Sequence, residues 1–147
     1  MLNLTEMAEE LKEHTAWQET PVDLTDSQYL GMVLRGLKRL FIDTGRAREY
    51  NPMKLITTED DFYCYDQDFL IDEEYYIMLT SQIEFFKKVQ TDVNNTFGYT
   101  TNALSVTNAD KPYANLQNTL GELESERRIV YYKMVRFTLG EGMTENG

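Results

Sequence analysis

Tyr76-Ile77-Met78-Leu79-Thr80-Ser81-Gln82-Ile83-Glu84-Phe85-Phe86-Lys87-Lys88-Val89-Gln90 carries a seven-residue apolar rhythm at Tyr76, Leu79, Ile83 and Phe86, which continues through Gln90, Val93 and Phe97. A second stretch repeats it at Tyr113, Leu116, Leu120, Leu123, Arg127, Val130, Met134 and Phe137. Alternating steps of three and four place each set on one stripe of a helix, the pattern of a seam between helices and not of a strand. The turn-like segment 98–111 lies between them, so the sequence predicts a long antiparallel helical hairpin. Helices of about 26 residues would each run roughly 39 Å. Gln90 and Arg127 interrupt the seam, where polar groups cost stability and fix register. Arg127 either pairs with Glu84 across the hairpin or carries its charge outward.

Working outward, Asp72 is the expected N-cap of the first hairpin helix, with Ile71 and Tyr76 as staple partners and Glu73 and Glu74 at the positive end of the helix dipole. Glu84 precedes Lys87 and Lys88, and Glu124 precedes Arg127 and Arg128, at spacings that favour ion pairs. An earlier helix opens on a capping box, Thr25 with Gln28, and a staple, Leu24 with Tyr29. Its apolar face is Leu30, Val33, Leu34, Leu37, Leu40 and Phe41, and Gly45 ends it. Leu4, Met7, Ala8 and Leu11 mark a short first helix with Thr5 as N-cap, and Trp17 in the following linker reads as a plug at the core edge. Residues 49–71 are apolar yet without helical period, so short strands or an extended arm fit them. The early helix must pack across the hairpin to shelter its aromatic residues; Tyr75, Phe85, Tyr131 and Tyr132 lie off the seam and would serve that second contact or a subunit interface.

The predicted fold is therefore mainly α: a helical bundle built on a long antiparallel helical hairpin, with an irregular or short-β middle segment. The 147 residues read as a single domain: a short helix and linker over 1–20, a helical core over 22–138 and a flexible tail over 139–147, with an exposed loop at 100–110.

A net charge of −11 argues against a nucleic-acid reader and against an anionic membrane surface. That charge is unevenly spread. Arg35, Lys38, Arg39, Arg46, Arg48 and Lys54 face only Asp43 and Glu49 between Leu30 and Lys54, whereas Leu55 to Glu74 holds eight acids and no base. Such polarity invites head-to-tail association, or the two patches meet within one subunit or stay solvated. Ten tyrosines suit half-buried rims, either of a small core or of subunit contacts. The lone Cys64 excludes an internal disulfide and fits a reducing compartment. The N-terminus carries no signal-peptide core, and no apolar run reaches membrane-spanning length.

Reaction chemistry is not expected. His14 has Glu10 one turn before it, too few ligands for a metal site. Asp66, Asp68 and Asp72 lack the glycine of a calcium loop and find Ile77 at its twelfth position. No phosphate-binding glycine loop, nucleotide fingerprint or serine elbow is present. The reading is a non-enzyme without cofactor.

Val22-Asp23-Leu24-Thr25-Asp26-Ser27-Gln28-Tyr29-Leu30, opening the early helix, and Tyr113-Ala114-Asn115-Leu116, leading into Glu122-Leu123-Glu124-Ser125-Glu126-Arg127-Arg128-Ile129-Val130-Tyr131-Tyr132-Lys133, give the chain an organisation that resembles the head–tail connector (adaptor) proteins of tailed bacteriophages. The resemblance covers residues 22–138 as organisation and departs from the family in the N-terminal helix and Trp17 linker. It implies a virion protein made in the host bacterial cytoplasm, a homo-oligomeric ring of about twelve subunits closed by heterologous contacts. The ring would lie under the portal protein, join neck or tail proteins, and continue a channel through which DNA passes without specific binding. An acidic wall suits such passage, because phosphates release no counterions onto it. Within this expectation Arg35, Lys38, Arg39, Arg46 and Arg48 meet Glu59, Asp60, Asp61, Asp66 and Asp68 of a neighbour, and the arm carrying Phe62, Tyr63, Tyr65 and Phe69 orders on assembly. The rival reading is a small acidic cytoplasmic module that engages a basic protein partner.

Overall fold

The computed structural model describes residues 1–98 and 112–146, with side chains of the last helix as far as Val135. Four α-helices and three short strands occupy the described residues: β1 (Leu2–Asn3), α1 (Leu4–His14), α2 (Asp26–Asp43), β2 (Leu55–Thr57), β3 (Tyr63–Tyr65), α3 (Ile71–Phe97) and α4 (Leu116–Asn146). The fold is mainly helical with a small sheet in its middle segment, as the periodicity predicts. Ile83 and Leu120, at the heart of the two stripes, are both buried. The hairpin is antiparallel: Phe97 lies against Tyr113 at one end, and Tyr75 Oη donates to Glu126 Oε1 (3.2 Å) toward the other.

Helix α3 is the axis of the molecule. Its buried residues include Tyr76, Leu79 and Ile83 on the seam, but also Ile77, Ser81 and Phe85 on other faces. A helix that is apolar nearly all round must be covered on several sides. Helix α2 covers one side and α4 another, while α1 packs on α2 and α3. Thus α2 docks chiefly on α3 and does not straddle the hairpin. Gly36 makes that docking close: a Cβ there would sit 2.7 Å from Ile77 O and 2.8 Å from Ser81 Oγ.

Local signals set most of the helix ends. Thr25 Oγ1 accepts from Gln28 N (3.2 Å) and Gln28 Oε1 from Thr25 N (2.8 Å), completing the capping box. At the other end Gly45, with φ 73°, donates to Ile42 O, and Arg46 N donates to Phe41 O (2.7 Å), the paired bonds of a Schellman stop. Two caps differ from expectation. Asn3, not Thr5, caps α1 by accepting from Glu6 N (3.0 Å), because Thr5 Oγ1 is taken by Tyr63 N (2.8 Å) of β3. Helix α3 begins at Ile71, so Asp72 lies inside the first turn; Glu73 reaches back to accept from Leu70 N (2.9 Å).

The sheet has strand order β1-β3-β2, antiparallel throughout, with Leu2 and Leu55 both opposite Tyr65. Its β1 and the buried Leu4 and Leu11 make the N-terminal segment part of the core and not an appendage. Tyr65 is fully buried and stacks on Tyr50 with ring centroids 5.8 Å apart, flanked by Phe41 and Phe69. The arm expected to order on assembly is therefore folded onto its own subunit: Tyr65 is core, Phe69 packs against it, and Phe62 and Tyr63 are half-buried. Its short strands leave apolar faces that the nearby Phe41 satisfies without a second chain.

Further expectations are corrected. Trp17 is 65% exposed, touching Phe86 with one face (centroids 5.5 Å) and plugging nothing. Glu84 pairs with Arg35 of α2 and with neither Lys87, Lys88 nor Arg127, while Lys88 turns forward to Asp92 (2.8 Å). Phe97 closes the seam only partly and is exposed. Helix α4 continues to Asn146, so the tail predicted over 139–147 is helical backbone as far as that residue; single glycines weaken a propagating helix without stopping it. The loop predicted over 100–110 lies outside the described residues, and at the Phe137 seam position only the helical backbone is described.

Candidate interaction surface

The bases of α2 stand on one exposed edge because they lie off its apolar stripe. Arg35 Nε is 3.3 Å from Glu84 Oε2, Arg39 Nε 2.9 Å from Asp43 Oδ1, and Arg46 Nη2 2.6 Å from Glu73 Oε2. Lys38 Nζ lies over the Tyr50 ring, and the Arg46 guanidinium over Phe41. Arg48 is exposed in a single 3₁₀ turn. Three of the five bases predicted for a subunit contact thus already meet acids of their own chain, though not the acids expected.

Those acids lie elsewhere. Glu59, Asp60 and Asp61 are exposed in the turn between β2 and β3, where Asp61 takes φ 65°. Asp66 is exposed, and Asp68 meets the Met1 amino group. That amine holds the Asp68 carboxyl below its ordinary range, through its hydrogen bond first and its charge second.

The α3–α4 pair has two unlike faces. On α3, positions 71, 75, 78 and 82 fall on one side of the helix and 73, 76, 80 and 84 on the opposite side. On α4 the split is 119, 122, 123 and 126 against 124, 127, 128 and 131. The second face holds a cleft of about 320 Å³ between Asp43, Tyr76, Glu124, Arg127, Arg128 and Tyr131. Tyr76 Oη donates to Asp43 Oδ2; burial first, and that carboxylate second, push the phenol well above its ordinary value. Arg127 is half-buried there, with Nη1 3.5 Å from Thr80 Oγ1, and does not pair with Glu84, which Arg35 engages.

The first face holds a larger groove, about 920 Å³, walled by α1 and α4 over the start of α3. Its floor is apolar, formed by Leu2, Met7, Met78, Leu79 and Leu123. Its rim is acidic, formed by Glu6, Glu10, Glu74, Glu122 and Glu126. Among the described residues none of these acids has an ion-pair partner; Glu126 accepts only the Tyr75 hydroxyl, which its charge and, more strongly, burial push above the ordinary phenol value. Sequence reading missed the groove because three separate helices build it. One signal was available: Glu6 with Glu10, and Glu122 with Glu126, are like charges one turn apart, each pair costing its helix about 0.2–0.5 kcal/mol.

No family model, curated protein or solved structure matches this chain. His14 and Glu10 both line the groove, and no group of three or more metal-capable side chains occurs among the described residues. Among those residues no helix is long and apolar enough to cross a membrane. The arrangement offers two chemically distinct surfaces on one rod, one acid-rimmed and apolar-floored, the other carrying arginines.

Proposed function

We propose that this chain is a head–tail connector of a tailed bacteriophage, a subunit of a ring that continues the portal channel and joins head to tail. The observation that carries the reading is the pair of unlike faces on α3 and α4. A ring of identical subunits needs two different, complementary surfaces per copy, since a self-complementary patch gives only a closed dimer. An acid-rimmed groove on one face and a cluster of Arg127 and Arg128 with Asp43 and Glu124 on the other supply two unlike surfaces. The exposed acids at Glu59, Asp60, Asp61 and Asp66 suit a wall along which DNA slides without being gripped. Portal and neck proteins would be the axial partners, and the virion neck the location.

Light scattering on the eluting protein, at low and at high salt, tests this. The expected outcome is a discrete large oligomer, or a concentration-dependent one, that high salt disassembles. A protein that stays monomeric at every concentration and also when mixed with a portal ring sinks the reading. The second reading, an acidic module for a basic partner, is favoured by the unpaired acidic rim of the groove; it expects a monomer that saturates one-to-one with such a partner.

A further inference from the structure

We propose that the groove between α1, α3 and α4 docks a basic amphipathic helical segment of another protein, apolar side inward. This rests on the second reading above and fills the groove face that the ring reading offers to a neighbouring subunit.

Shape and charge define the occupant together. The floor offers Met7, Met78, Leu79 and Leu123, side chains that can re-pack around a row of apolar anchors spaced by helical turns. The lip at Ile71 is 83% exposed and extends that apolar surface outward. Around it the two like-charged pairs on α1 and α4 are held against their own helix stability; among the described residues no lysine or arginine lines the groove, whose basic groups are His14 and the Met1 amine that Asp68 holds. Lysines flanking the anchors of an incoming helix would relieve that repulsion from both walls at once. A second copy would present Arg128 and the half-buried Arg127 of its opposite face, two charges against the five rim acids, while its Arg35, Arg39 and Arg46 are engaged by Glu84, Asp43 and Glu73.

The test titrates the full chain into a fluorescein-labelled 14-residue helix of leucine and lysine, patterned with one apolar stripe, and reads anisotropy. The expected result is saturable binding that weakens about tenfold or more in the Glu122→Lys/Glu126→Lys variant and less in Glu6→Gln/Glu10→Gln. Binding to Glu59→Lys/Asp60→Lys, a charge change of the same size at the distant β2–β3 turn, should stay within about twofold of the parent. Circular dichroism checks that each variant keeps its helix content. Equal loss in the groove and turn variants would reduce the effect to net charge and overturn the proposal. So would undiminished binding of a peptide whose leucines are serine, or no binding at all. A dimer that forms without peptide, dissolves when peptide is added and is abolished by Glu122→Lys/Glu126→Lys would assign the groove to a second copy instead.

Discussion

Gly36 lets α2 approach α3 closely, and a larger residue would strike the α3 backbone as well as the Ser81 hydroxyl. The Ile77 carbonyl 2.7 Å from a would-be Cβ belongs to a buried turn of α3 and cannot swing away. Gly36→Ala is therefore expected to cost about 1–3 kcal/mol despite alanine's better helix propensity, seen as a drop of several degrees in the thermal midpoint. An unchanged or raised midpoint would mean the helices are farther apart than described. Tyr76 makes a different prediction. Its phenol is held protonated by burial and by Asp43, so its folded pKa lies above the unfolded value of 10.0. The stabilisation is present in full below pH 10 and is lost as pH rises beyond it. Tyr29, Tyr50 and Tyr75 are shifted the same way, so the parent protein should lose stability steeply in alkali. Tyr76→Phe should cost about 1–2 kcal/mol at neutral pH and flatten that alkaline loss without removing it. Urea midpoints at a series of pH values would show both effects.

At the level of elements, the capping box at Thr25 gives the sharpest local test. Thr25→Ala removes the acceptor for Gln28 N and should cost about 1 kcal/mol, or about 2–4 °C in midpoint for a chain of this size. Such ends were readable in advance because a cap is a contract between residues three apart. The seam was readable for the same reason, its period being written along each helix. Strand β1 was not. Two residues pair with a strand some sixty positions away, and nothing in Leu2 or Asn3 alone announces that partner. Thr5 illustrates the consequence: by local rules it caps α1, yet β3 claims its hydroxyl and Asn3 takes its place. Likewise the acids and aromatics of 59–69 read as one arm, but pairing in the sheet sends Tyr65 inward and leaves Asp60 out.

On the scale of the whole molecule, tertiary geometry decides which charges are spent inside and which face outward. Composition revealed an acidic chain with a basic segment. It could not reveal that the basic edge would be partly neutralised by Glu84, Asp43 and Glu73, or that unpaired acids from α1, α3 and α4 would gather around one groove. Of the residues expected at a subunit contact, Tyr65 lies in the core and Phe69 packs against it, while the named bases and acids stand on separate parts of the surface. The thiol of Cys64 offers a view of this architecture from inside. It is buried in β3, the central strand of the sheet, so a reagent can reach it only when the packing over that strand opens. Its alkylation by iodoacetamide should run far slower in the native protein than in urea. A variant that loosens the α2–α3 contact without unfolding the chain should leave that rate nearly untouched, making one sulfur atom a clock for the packing over β3.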